Sequence, residues 1–156
     1  MAHISEQELR LFVDSVKHYF TVTTRQEPQV TSAYLGTDSI DGHEFNGLVS
    51  FSGNYNGHVI VSMPARMLRE LLLLQHETDL RDDHLLDAVG EVANTLGGNA
   101  RKQLGAGLEI SVPVTFQGQI SKSQGVRSRV RKHPFLITLR WNHHSALVCV
   151  DLERAH

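Results

Sequence analysis

The stretch 79–104 restricts this chain most: Leu85, Val89, Val92, Leu96 and Ala100 recur there at helical spacing, and no proline interrupts them. Placed at about 100° intervals around an axis, these residues gather on one side, while Asp87, Glu91, Asn94, Gly98 and Arg101 gather on the other. A long helix with a single apolar stripe has to be laid against another layer of the same protein. Asp82 and Asp83 in its first turn favour the macrodipole, and Gly105 and Gly107 stop it.

What flanks that helix reads as a second helix and several strands. Residues 4–20 place Leu9, Phe12, Val13, Val16 and Phe20 at helical spacing, with Ser5 as the cap and Glu8 as its capping-box partner. A Thr-rich connection broken by Pro28 leads into a strand around 32–40. Residues 48–52 and 58–63 are β-branched or aromatic segments, and Gly53-Asn54-Tyr55-Asn56-Gly57 between them has the composition of a hairpin loop. Pro64 then opens a short helix whose stripe is Met67, Leu68, Leu71 and Leu72. After the long helix come a strand at 110–116, a basic loop, and a second hairpin of 135–141 and 146–150 joined by Asn142-His143-His144-Ser145. Helix, strand, hairpin, short helix, helix, strand, hairpin: this order predicts two halves of similar construction in one α+β domain spanning 1–156. The clearest trace of the repeat is Phe12-Val13-Asp14-Ser15-Val16 against Leu85-Leu86-Asp87-Ala88-Val89.

Composition narrows the function. The 156 residues are 40% hydrophobic and 21% charged, enough apolar material for a core without a disulfide or metal staple. With 15 Lys plus Arg against 17 Asp plus Glu, the formal charge of -2 gives no global reason to expect nucleic acid or an anionic membrane. The single Cys149 lies in an apolar run and reads as a buried thiol in a reducing compartment. Near the start, Glu6, Glu8, Arg10 and Asp14 interleave with the apolar residues, unlike a signal peptide, and the longest strongly apolar run, Leu71 to Leu74, is far short of a membrane span. The expected location is the cytoplasm.

A solvated stripe is the ordinary reading of Glu91 and Asn94, since any surface helix has a polar face. Two details argue for more. Asn disfavours helix interiors because its amide competes for backbone hydrogen bonds. Gly97 and Gly98 together cost about 2 kcal/mol relative to alanines. Gly98 sits at the centre of the polar stripe, where it permits close approach of another surface. Gly97 is expected to pack tightly on a sheet.

Asp87-Ala88-Val89-Gly90-Glu91-Val92-Ala93-Asn94, followed by Gly97-Gly98-Asn99-Ala100 and by Ile110-Ser111-Val112-Pro113, resembles the signature of the CheC/CheX/FliY family of chemotaxis phosphatases. That motif is an Asp or Ser, three residues, Glu, two residues, Asn, and a Pro some distance downstream. The resemblance is dense from about Leu85 to Gly118 and architectural elsewhere. It implies a CheC-like α+β fold of duplicated helix-strand-hairpin units, with long helices packed on a six-stranded mixed sheet.

The resemblance also implies an activity in two-component signalling: hydrolysis of the aspartyl-phosphate of a CheY-type response regulator. Glu91 would pair with a lysine of that partner and Asn94 would orient the attacking water. Asp87, Gly98 and Arg101 would meet the partner's surface. Mg²⁺ is expected on the phosphorylated partner, so this chain needs no metal or cofactor of its own. CheC-type members carry the Glu-x-x-Asn pair in both halves and CheX-type members carry it once. Here His18 and Thr21 stand where the first half would need it, which points to the CheX type, and with it to a homodimer that uses strand edges.

Other chemistries find less support. None of the 10 histidines falls in a His-Glu-x-x-His or paired-Cys spacing, and His143-His144 sits in a predicted turn. No glycine-rich nucleotide loop is present, and Ser121, Ser123 and Ser128 lack a nucleophile-elbow context. Lys122, Arg127, Arg129, Arg131 and Lys132 form a basic run without interleaved aromatics, which reads as a solvated loop or as a steering patch for an acidic regulator. The alternative in another class is a non-catalytic dimeric scaffold that binds a receiver domain or a flagellar motor component with the same helix.

Overall fold

A computed structural model describes residues 5–35, 42–105, 107–120 and 134–155. The expected strand's residues 36–40 and the basic run 122–132 lie outside them. Three helices, α1 (Glu6–Thr24), α2 (Ala65–Leu74) and α3 (Asp82–Leu104), cover one face of an antiparallel sheet. Its strands are β1 (Gln29–Leu35), β2 (Phe45–Gly53), β3 (Tyr55–Met63), β4 (Leu108–Ile110), β5 (Val114–Gln117), β6 (Phe135–Trp141) and β7 (His144–Arg154). The strand order is β1-β6-β7-β3-β2-β4, with β5 also paired to β2. Exchanging β1 for β4 with β5, β2 for β6 and β3 for β7 returns the same order read from the other edge, so the repeat anticipated from the sequence is built into the topology.

The α+β fold is as expected, but the sheet has seven strands among the described residues and is antiparallel throughout, where six strands in a mixed sheet were expected. Strands joined by a helical crossover, such as β3 and β4, do run parallel. They are never neighbours, because β2 lies between them and pairs antiparallel with both. The extra strand arises because the stretch expected at 110–116 is broken. Phe51 pairs with Ile110 and Leu48 with Val114, so two residues of β2 face three, 111–113, on the outer strand. That is a bulge of one residue, and it falls where Pro113 has no N–H to give to a ladder. Ser111 repairs the gap: its N–H donates to the Ser50 carbonyl at 2.9 Å, and its hydroxyl accepts the Ser50 N–H at 2.9 Å.

Several boundaries moved for local reasons. The α1 helix runs to Thr24, where Arg25 ends it in the left-handed conformation with its N–H donating to the Thr21 carbonyl, and Thr21 and Thr24 donate their hydroxyls to the carbonyls of Lys17 and Phe20. The expected capping box is present, Glu8 N–H to Ser5 Oγ and Ser5 N–H to Glu8 Oε1. The α3 helix starts at Asp82, after Arg81, whose guanidinium is held by Asp79. The second hairpin turns on Asn142 and His143 alone, both at positive φ (47° and 70°), a two-residue turn that matches sheet twist. The β7 strand is longer than 146–150 and is buried from Ala146 to Glu153, on both faces, so no alternation marks its ends.

The larger core lies between helices and sheet: Leu85, Val89, Val92, Leu96 and Ala100 of α3 meet Val49, Val59, Val61 and Val148 there. A smaller cluster on the opposite sheet face joins Leu48, Ile60, Ile120, Leu136, Leu147 and Cys149. Cys149 is buried as expected, and burial together with the Asp151 carboxylate pushes its thiol up. No helix among the described residues is long and apolar enough to cross a membrane.

Candidate functional site

The seat of α3 is made of small residues. A β-carbon at Gly47 of β2 would lie 2.6 Å from the Val89 carbonyl oxygen, one at Gly97 would lie 3.3 Å from Val49 and 3.5 Å from Ile110, and one at Gly90 would lie 2.9 Å from the Thr115 methyl. Helix and sheet edge therefore approach more closely than larger residues would allow. Gly97 packs on the sheet, as expected. At Gly98 no heavy atom outside its own helix and chain neighbours lies within 4 Å of the same construction, so that position opens outward.

The close seat creates an open cleft of about 380 Å³ along one flank of α3, lined by Asp87, Gly90, Glu91, Asn94, Pro113 and Thr115. Three of the five residues named on the polar stripe, Asp87, Glu91 and Asn94, thus share one cleft, and all three are exposed. Gly98 and Arg101 continue the same face one and two turns further on and do not line it. Glu91 and Asn94, three residues apart, have β-carbons about 5–6 Å from each other, so a group of phosphate size can touch both.

Sequence reasoning did not assign Gly90 and Thr115 to the site. Gly90 carried a signal as a mid-helix glycine, but its counterpart is a distant strand that only tertiary structure supplies. Tyr19 of α1 packs against the core instead of lining the cleft; burial raises its phenol above the ordinary value, hydrogen bonding with Thr23 works the other way, and the charge of Glu91 raises it again. Among the described residues no three His, Cys, Asp or Glu side chains gather as a metal site would require.

The aligned positions of the first half are arranged otherwise. His18 and Thr21 are exposed on α1, and the Thr21 hydroxyl is committed to the Lys17 carbonyl at 2.8 Å. A groove of about 450 Å³ does run there, but Leu11, Asp14, Ser15 and His18 share it with Asn99, Lys102 and Gln103 of α3, and no sheet edge borders it.

Fold and site together define a protein of the CheC-like α+β class, with one exposed Glu/Asn pair over a sheet edge. The sequence model described as chemotaxis phosphatase CheX matches residues 45–139, more than half of the chain, and the chain belongs to that family, on the CheX side of the CheC/CheX/FliY group. Among solved structures it is similar to chemotaxis protein CheX from Desulfovibrio desulfuricans (21% identity, TM-score 0.73, 94% of this chain and 99% of that one). It is also similar to a CheC-like superfamily protein from Shewanella sp. PV-4 (19%, 0.78, 96% and 99%). A third is a CheX-CheY-BeF3-Mg²⁺ complex from Borrelia burgdorferi (18%, 0.71, 94% and 98%). At these identities the likeness is one of fold. No curated protein matches the sequence closely enough to count as a relative.

Proposed function

We propose that this chain hydrolyses the aspartyl-phosphate of a CheY-type response regulator, with Asn94 and Glu91 as its catalytic pair. The observation that carries the reading is the exposed carboxylate and carboxamide one helical turn apart over a glycine-relieved cleft, in a chain of the CheX family. The complex of the Borrelia relative with CheY supports the choice of partner.

Each residue type suits its task. Phosphoryl transfer depends on positioning and on electrostatic stabilisation far more than on covalent chemistry from the catalyst. The Asn94 Oδ1 accepts a hydrogen from water and leaves a water lone pair aimed at phosphorus, and because an amide does not titrate, this geometry is the same across the physiological pH range. Glu91 offers a carboxylate to a lysine of the partner, a charge-assisted hydrogen bond that fixes the docking register. Asp87, Gly98 and Arg101 extend the contact along the helix, with Gly98 letting the partner come close. The magnesium ion of the reaction belongs to the partner, and the chain acts as a homodimer.

The test is the lifetime of a phosphorylated CheY-type receiver with wild type, Glu91→Ala and Asn94→Ala. Acceleration by wild type that disappears in Asn94→Ala, with binding retained, is the expected result. Binding of several receivers without acceleration of any would replace the enzyme by the scaffold.

A further inference from the structure

We propose that the Thr115 hydroxyl is a second holder of the attacking water, placed across the cleft from the α3 pair. The inference rests on the phosphatase reading and adds one residue to its machinery.

The register of β5 decides which of its side chains reach the cleft. Val114 pairs with Leu48, a member of the cluster on the sheet face away from the helices, and Phe116 packs against that same cluster. Thr115 pairs with Gly47, whose missing β-carbon would meet the Val89 carbonyl of α3, so Thr115 stands on the helix-bearing face. Its methyl lies 2.9 Å from where a β-carbon of residue 90 would be. A β-branched side chain is stiff at χ1, so this contact fixes the rotamer and holds the hydroxyl, carried by the same carbon, at the cleft wall that Thr115 lines. The sheet edge gives the cleft Pro113 and Thr115, and of these only Thr115 has a hydrogen-bonding side chain.

Two other hydroxyls of the outer strands are spent inside the sheet. In β1, Val30 pairs with Leu139 and Ser32 with Thr138, leaving Thr31 as an inserted residue. Its hydroxyl is tied to the Thr138 carbonyl at 3.2 Å and the Thr138 hydroxyl at 2.9 Å. The Ser111 hydroxyl accepts the Ser50 N–H. Among the described residues the Thr115 hydroxyl has no hydrogen-bond partner, and the half-buried residue leaves it to solvent in the cleft.

A water held by Asn94 alone turns about that one hydrogen bond. Two acceptors fix its plane and so the direction of its lone pair, which is the positioning on which phosphoryl transfer depends. Asn94 is one helical turn beyond Gly90, about 5–6 Å between β-carbons. Its carboxamide and Thr115 therefore flank one space, at a separation that a single water spans with hydrogen bonds of about 2.8 Å. Charge favours a hydroxyl for the task. A carboxylate so close would repel the phosphoryl oxygens, whereas a neutral hydroxyl accepts from water and can donate its own hydrogen to a phosphoryl oxygen. The water oxygen bonds to phosphorus as the bond from phosphorus to the aspartyl oxygen breaks; the electron pair stays on the carboxylate and both water hydrogens leave with the phosphate. Thr115 gains and loses no proton.

The experiment measures steady-state dephosphorylation of a phosphorylated CheY-type receiver by wild type, Thr115→Val and Thr115→Ser, with the Kd of each for a beryllofluoride-loaded receiver. Thr115→Val keeps the methyl against Gly90 and removes the hydroxyl, and Thr115→Ser does the opposite. In Thr115→Val kcat should fall about tenfold with KM and Kd within about twofold of wild type. In Thr115→Ser kcat should stay within about threefold, a rescue that a packing role would not give. A wild-type kcat in Thr115→Val overturns the inference and leaves Asn94 and Glu91 standing. Equal losses in the two variants make Thr115 a spacer under α3 and overturn it, as does a raised KM and Kd at constant kcat, which makes it a docking contact. Failure of wild type to accelerate any receiver that it binds sinks the phosphatase reading, and this inference with it.

Discussion

The two halves of this protein share an element order, a sheet position and even a one-residue bulge in the outer strand, yet their helices are seated differently. The α1 helix is held off the sheet by large side chains, with Phe20 against Trp141 at 5.6 Å between ring centroids and the Trp141 Nε1–H donating to the Thr24 hydroxyl. The α3 helix meets the sheet through Gly47 of β2 and through its own Gly90 and Gly97. Close seating brings the polar stripe of α3 level with an edge strand and makes a cleft between them, whereas α1 shares its groove with another helix. Duplication thus supplied two equivalent frames, and the choice between glycine and aromatic spacers decided which frame carries an open cleft beside a sheet edge.

The sharpest way to break the comparison is to remove the functional groups of each half in turn. Asn94→Ala should lower receiver dephosphorylation about 10²- to 10³-fold, the usual effect of deleting one positioning group, while Thr21→Ala and His18→Ala leave the rate within twofold. Loss in the α1 variants would make the site a property of both helices. Next in size is the seat itself. Gly47→Ala drives a methyl against the Val89 carbonyl, a backbone group that cannot swing aside, and should destabilise by about 2 kcal/mol in urea unfolding, with a loss of turnover as α3 lifts. An unchanged midpoint would mean that close seating is not required.

Acid distinguishes how the two helices begin. Arg81, the N-cap residue of α3, makes no side-chain capping bond, whereas Glu8 in the first turn of α1 closes the capping box and also accepts from Arg154 at 2.7 Å and from the Tyr55 hydroxyl. Burial opposes its ionisation, but hydrogen bonds from Arg154, the Ser5 N–H and Tyr55 outweigh it and hold the carboxyl at about 2, below its ordinary 4.5. A lowered folded-state value means stability that is complete above about pH 4.5 and lost as pH falls from there towards 2. Glu8→Gln should therefore cost about 2 kcal/mol at pH 7 and little by pH 2, so that its denaturation curve approaches that of wild type in acid. Parallel curves at all pH values would remove the ionised cluster from the account. The smallest effect is the most diagnostic for the surface: Gly98→Ala, with nothing nearby to meet the methyl, should stabilise α3 by up to about 1 kcal/mol while weakening receiver binding. Gly97→Ala, pressed against Val49, should not share the gain.

Much of this was legible in the residues. Helical spacing located α1 and α3 because both are long and bury one stripe, and the Glu91/Asn94 pair stood out because Asn and paired glycines are costly inside a helix. What escaped has a tertiary origin. The bulge at Ser111-Val112-Pro113 exists only relative to the register of β2, and the role of Gly90 depends on a strand some distance along the chain. The loop expected at 53–57 is a loop only for the β2–β3 pair. Its flanks continue as strand because Gly53 pairs with Leu108 and Tyr55 with Arg154, neighbours that local composition cannot reveal.

The place of β7 in the sheet order bears on how the molecule is made. It is the latest of the described strands in the chain, yet it lies between β6 and β3, joining the edge β1-β6 to the edge β3-β2-β4. Until the ribosome has released it, the first hairpin and its helix have no central partner, and β3 presents an unpaired ladder beside uncovered apolar surface. Assembly must then join a strand that meets β6 through a local hairpin to β3 at long sequence separation, a non-local pairing of the kind that slows folding.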